Sequence, residues 1–117
     1  MQVDPAKLVE GYKADEEKVR MDLLSPIALA EIGKVMTFGA AKYDDNNWRR
    51  GYKWSLSSDA HDRHYHAWRL GEDLDEETGS HHLIAAAWHL IALWWFQKWG
   101  KGSDDIRPTI QHRTEIT

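Results

Sequence analysis

The chain has 117 residues, 42% hydrophobic and 29% charged, with a net charge of −4, values that describe one folded domain, residues 1–117. It contains no cysteine, which excludes disulfides and thiolate metal sites, so any metal is held by His, Asp, Glu or carbonyl oxygens. The acidic balance, without a strongly basic face, argues against nucleic acid as a partner.

In chain order, Asp4-Pro5 reads as an N-cap followed by proline at the first helical position, giving a short helix to about Gly11 within an N-terminal segment, residues 1–16. Residues 12–24 are charged and aperiodic, a loop. "SPIALAEIGKVMTFGAAKY" repeats the cap signal: Ser25 caps, Pro26 starts and good helix formers continue to about Lys42. "DDNNWRRGYKWS" is turn-rich. A second helix is expected from Ser57 or Ser58 through "DAHDRHYHAWRLGED". The acidic "LDEETGS" breaks it. Ser80 is then expected to cap a third helix to about Trp99, ended by Gly100 and Gly102. Residues 101–117 read as an extended tail. No alternating pattern is long enough for a strand, so the expected fold is all-α.

The third helix is apolar nearly all round, with Leu83, Ile84, Trp88, Leu90, Ile91, Leu93, Trp94, Trp95 and Phe96. Such a helix is buried on most sides. Seven Trp occur in the chain, five of them from Trp68 to Trp99. Two other long helices cannot cover that surface, which predicts a helical bundle completed by oligomerisation, a homo-oligomer. The longest apolar stretch, Leu83 to Phe96, is too short to span a bilayer. The N-terminus lacks the apolar core of a signal peptide. No membrane partner and a cytoplasmic location are expected.

"GEDLDEETGSHH", Gly71 to His82, crowds Glu72, Asp73, Asp75, Glu76 and Glu77 ahead of two histidines. It is either a solvated turn or a cation site. On the second helix His61, Tyr65, Trp68 and Glu72 share one stripe with His64 at its edge. His82, Ala85, Ala86 and His89 share a stripe on the third. Antiparallel pairing of these helices brings Glu72 and His82 near the loop. Oxygen-rich sets suit Mg²⁺ or Mn²⁺, and an imidazole tilts the choice toward Mn²⁺. Glu31, within the mostly apolar first helix, is either solvent-facing or an inward carboxylate that completes a metal cluster. "NNWRRGYKW" sets Arg49, Arg50 and Lys53 among aromatics and amides. Arginine forks suit phosphate and Trp faces suit stacking on a base, though a solvated basic loop has the same composition. His61-Asp62 is the dipeptide of metal-dependent HD phosphohydrolases, but no His precedes position 61 in this sequence.

At these residues the chain resembles the phage- and bacteria-encoded dATP/dGTP diphosphohydrolase N-terminal domain family. The matching stretches are "KVRMDLLSPIAL", "FGAAKYDDNNWRRG" and "RHYHAWRLGEDLDEETGSHH", in that order, from about Lys18 to Trp95. The resemblance implies an all-α fold related to the MazG-like nucleotide pyrophosphatases. These are helical oligomers that use Mg²⁺ or Mn²⁺ to cut a nucleoside triphosphate to monophosphate and pyrophosphate. Their EExxE…ExxD carboxylate pattern is not literally present here. Matched positions are Gly39, Lys42, Tyr43, Asn47 and Trp48, then Arg63, His64, Trp68, Gly71, Glu72, Asp73, Asp75, Gly79 and His82. The resulting expectation is a purine deoxynucleoside triphosphate pyrophosphohydrolase, in the host cytoplasm if phage-encoded. Glu72, Asp75 and His82 are its metal ligands, with Glu31 a fourth. Lys42, Arg49 and Arg63 contact phosphates, and His64 lies on the substrate side. Asn47 and Trp48 take the nucleoside. Asp73, with Glu72 beside it, is the general base for the attacking water. The alternatives are an HD-type triphosphohydrolase and a non-catalytic helical oligomer that binds nucleotide or metal.

Overall fold

Pro26 cannot continue a helix backwards but is pre-set to begin one, and the first helix starts there. The computed structural model describes residues 18–42 and 47–108, so the leading helix expected before Gly11 lies outside the described residues. Helix α1 spans Pro26–Lys42. The Ser25 hydroxyl accepts from the Ala28 N–H at 3.2 Å, the cap read from the sequence. Helix α2 spans Trp54–Arg69 and helix α3 His82–Trp99. Short 3₁₀ turns occupy Met21–Leu23 and Asn47–Arg50. Among the described residues there is no strand, only two isolated bridges. The all-α expectation holds.

Helices α2 and α3 form an antiparallel hairpin. Its rungs are the His64–His82 and Ser57–His89 hydrogen bonds and the edge-on Tyr52–Phe96 ring contact at 4.9 Å. Small residues let the helices approach closely: Ala60, Ala85, Ala86 and Ala92 are buried. Phe96 and Ser57 are fully buried beside them. Trp48 packs edge-on to Trp88 and Trp95, at 4.7 and 5.5 Å between centroids, and closes the far end of the hairpin. α1 lies against α3 with much of its apolar surface in solvent: Ile27 is 76% and Leu29 50% exposed. No helix among the described residues is long and apolar enough to cross a membrane.

Two boundaries differ from expectation, both for non-local reasons. α2 begins at Trp54, ahead of Ser57, without a side-chain cap from its own N-cap residue. Its first turn is held instead by Asp105, whose carboxylate accepts from the Ser55 N–H at 2.9 Å and the Ser55 hydroxyl at 2.6 Å. Trp54 Nε1 donates to the Lys101 carbonyl, and the Trp54 N–H to that of Ser103. Residues 101–108, the described part of the expected extended tail, are therefore folded back onto the start of α2. The approach is so close that a Cβ on Gly51 (φ 89°) would collide with the backbone of Gly102. α2 also stops at Arg69, before the expected Asp73, because Gly71 turns the chain at φ 100°, a conformation that glycine reaches without strain.

Candidate metal centre

The acidic stretch is a tightly bonded turn. One oxygen of Asp75, Oδ1, accepts from the N–H groups of Glu77 and Thr78 at 2.8 and 3.0 Å. The Asp75 N–H donates to the Ser80 carbonyl, and the Gly79 N–H to that of Asp75, both at 2.8 Å. The His82 N–H donates to the Asp73 carbonyl at 2.9 Å. His81 caps α3, its Nδ1 accepting from the Leu83 N–H at 3.1 Å. Ser80, the expected cap, has its carbonyl engaged in the turn instead.

This turn leaves Asp75 Oδ2 facing two imidazoles. His64 Nδ1 lies 3.8 Å from Oδ2 and 2.8 Å from His82 Nδ1. One ligand atom from each of His64, Asp75 and His82 falls within 4.8 Å of the others. Two nitrogens and one oxygen are a donor set for a divalent ion of borderline hardness. Octahedral bonds of about 2.1 Å place neighbouring ligand atoms about 3.0 Å apart, close to the 2.8 Å separation of the two nitrogens. The residues fit an ion here.

The electrostatics agree with ligation. Burial holds His64 below the ordinary histidine range; His82, Arg63 and His61 add to this while Asp75 opposes it. A neutral imidazole is the ligating form. Burial pushes Asp75 upward, but the Thr78 and Glu77 N–H groups and the two histidines outweigh it and keep the carboxylate low. Behind the cluster, Tyr52 OH and Ser57 Oγ are 2.5 Å apart, and Ser57 Oγ lies 3.0 Å from His89 Nδ1. The His89 ring is near-parallel to that of His64, at 20° and 6.0 Å.

His89 carries a pH dependence. Burial, with smaller contributions from His64, Arg63 and His61, lowers it from 6.5 to about 4. The unfolded chain therefore takes up this proton first as pH falls. The stability is full above pH 6.5 and is lost between there and about 4. His64, shifted the same way, adds to the loss. Denaturant titrations of metal-free protein should show a loss on the order of 2 kcal/mol from His89 over this window, discounted for the ring's partial solvent contact. His89→Gln should flatten the slope; an unchanged slope would refute the assignment.

The other expected site residues are placed as follows. Glu72 meets the outer nitrogen of His82, Nε2, at 2.9 Å and stands outside the three-ligand cluster. Glu31 is paired with Lys34 at 2.9 Å on α1 and is not among the three gathered residues, which lie on α2, the turn and α3. Asp73 is exposed beside Glu72. Trp48 is committed to the aromatic cluster, and Arg49 lies over the Trp48 and Trp95 rings at 5.7 and 5.4 Å; neither contacts the histidines. Asn47 is exposed at the start of its 3₁₀ turn, and the Lys42 side chain lies outside the described residues. Arg63 borders an open groove of about 420 Å³ with Asp62, Tyr65, His66 and Arg69. His61 bonds its neighbour Asp62 at 2.9 Å, so the HD dipeptide is separate from the cluster. His64 as a cluster member, and Ser57, Tyr52 and His89 behind it, went unassigned from sequence. The shared α3 stripe of His82 and His89, opposite His64, was the available signal.

A helical hairpin whose connecting turn gathers two imidazoles and a carboxylate defines an all-α domain with a candidate divalent-cation centre. The chain belongs to the family described as dATP/dGTP diphosphohydrolase, N-terminal, which matches residues 9–106. It is similar to a dATP/dGTP diphosphohydrolase of Salmonella phage PMBT28, 35% identical over 97 residues. That match takes in 83% of this chain and 33% of the relative, so the chain spans about a third of the length of that curated protein. No solved structure matches the chain.

Proposed function

We propose that this chain is the metal-bearing helical domain of a purine deoxynucleoside triphosphate diphosphohydrolase, converting dATP or dGTP to the monophosphate and pyrophosphate. The observation that carries the reading is the convergence of His64, Asp75 and His82 ligand atoms within 4.8 Å, in a chain of this family. Those three residues hold Mn²⁺ in preference to Mg²⁺, because two of the donors are imidazoles. When bound, the ion supplies charge neutralisation at the phosphate oxygens. Arg63, on the same helix as His64, contacts the outgoing phosphates, where a guanidinium fork offsets the developing charge. Asp73, exposed beside the turn, takes the proton from the water that attacks the α-phosphorus. The bond from that phosphorus to the bridging oxygen breaks, and pyrophosphate leaves with it. The exposed rings of Tyr65 and Trp68, stacked at 5.8 Å, offer the base a face that the packed Trp48 does not.

The protein is a homo-oligomer in this reading. Ile27 and Leu29 of α1 and Leu90 and Trp94 of α3, all at least half exposed, form apolar surface that a dimer or tetramer would cover.

Incubating the protein with Mn²⁺ and each common nucleotide, and separating the products, tests the activity. Pyrophosphate from dGTP or dATP is expected. Release of inorganic triphosphate would favour an HD-type reaction, and metal binding without turnover a non-catalytic domain.

A further inference from the structure

Glu72 was expected to bind the metal directly, but its geometry suits another task. The His82 side chain is only 5% exposed, and both ring nitrogens are engaged. Nε2 meets Glu72 Oε1 at 2.9 Å, and Nδ1 faces His64 Nδ1 at 2.8 Å. A carboxylate only accepts, so the proton in the first contact sits on Nε2. An imidazole that ligates through Nδ1 keeps its one ring proton on Nε2, the nitrogen that Glu72 faces. The other nitrogen, Nδ1, faces His64 Nδ1, and His64 and Asp75 are the other two members of the cluster. The two ring nitrogens point to opposite sides of the ring, so Glu72 lies behind the ligand. A carboxylate on the far nitrogen of a ligating histidine fixes the tautomer, locks the ring and raises its basicity.

We propose that Glu72 is a positioning residue that holds His82 with Nδ1 unprotonated and directed at a divalent cation, and is not itself a ligand. This rests on the metal reading of the cluster. Glu72 is half exposed and outside the helices, so its substitution leaves the fold intact, which circular dichroism checks directly.

The test compares Glu72→Gln, Glu72→Ala and Asp75→Asn in the full chain, with Mn²⁺ affinity measured by calorimetry. The Gln side-chain oxygen still accepts from Nε2–H, so Glu72→Gln should stay within about threefold of the parent. Glu72→Ala should lose about 10–100-fold. Equal losses in Glu72→Gln and Asp75→Asn would make Glu72 a ligand and overturn the proposal. An independent readout is the ¹⁵N spectrum of the histidines in metal-free protein. His82 should carry its proton on Nε2 in the parent and in Glu72→Gln, and lose that preference in Glu72→Ala. A tautomer indifferent to Glu72 also overturns the proposal. The spectrum reads Glu72 even if the parent binds no Mn²⁺, so failure of the metal reading is distinguishable from failure of this one.

Discussion

Asp75→Asn is expected to abolish Mn²⁺ binding while leaving the protein folded. An amide oxygen still accepts from the Glu77 and Thr78 N–H groups, so the turn survives, but the anionic donor facing His64 is gone. The loss of affinity should exceed about 100-fold, beyond the cost of losing a partner behind a ligand. Metal-dependent turnover of dGTP should fall with it to background. His64→Ala should behave similarly, since it removes a nitrogen from the same cluster. Calorimetry with Mn²⁺, paired with thermal melts, separates the two effects. Wild-type affinity in Asp75→Asn would remove the metal centre from this turn altogether.

The second large effect is on stability. Phe96 is fully buried and contacts Tyr52 at 4.9 Å and Trp48 at 6.4 Å. It is the one large apolar side chain among the buried residues described, the other apolar ones being alanines, too small to fill the space it would leave. Phe96→Ala is therefore expected to cost about 3–5 kcal/mol, much of the total stability of a small domain, about 5–15 kcal/mol. Thermal unfolding followed by circular dichroism should show a midpoint lower by about 15 °C or more. A shift of a few degrees would mean that the interior lies elsewhere, for instance under a partner subunit.

The parts of this fold that were legible in the sequence are those that rest on neighbouring residues. Ser25-Pro26 starts α1 and Gly100 ends α3 because caps are local chemistry. The start of α2 was misread because its first turn is capped by Asp105, a long way along the chain, and no window of sequence around Trp54 contains that carboxylate. The docking of residues 101–108 was hidden for the same reason. In the candidate site, Asp75 and His82 could be placed near each other from sequence because a turn must connect two antiparallel helices and brings its own residues together. Glu31 looked equivalent as a residue type, but Lys34 one turn away pairs with it. Trp48 looked like a base-stacking residue in a basic loop. Its ring instead meets Trp88 and Trp95, contacts across the fold that composition does not encode. The link from Tyr52 through Ser57 to His89 likewise exists only once the helices have paired.

The three cluster residues all lie between His64 and His82, in one helix end, one turn and one helix start. Closing so short a loop costs little chain entropy, and contacts of low sequence separation form early. The centre can therefore assemble as soon as the α2–α3 hairpin does, ahead of α1 and of the docked segment after Gly100. It is also self-contained in a way that most sites, gathered from distant strands and loops, are not. A single short stretch of chain carries all three candidate ligands, so the cluster can be transplanted, duplicated or lost as one unit.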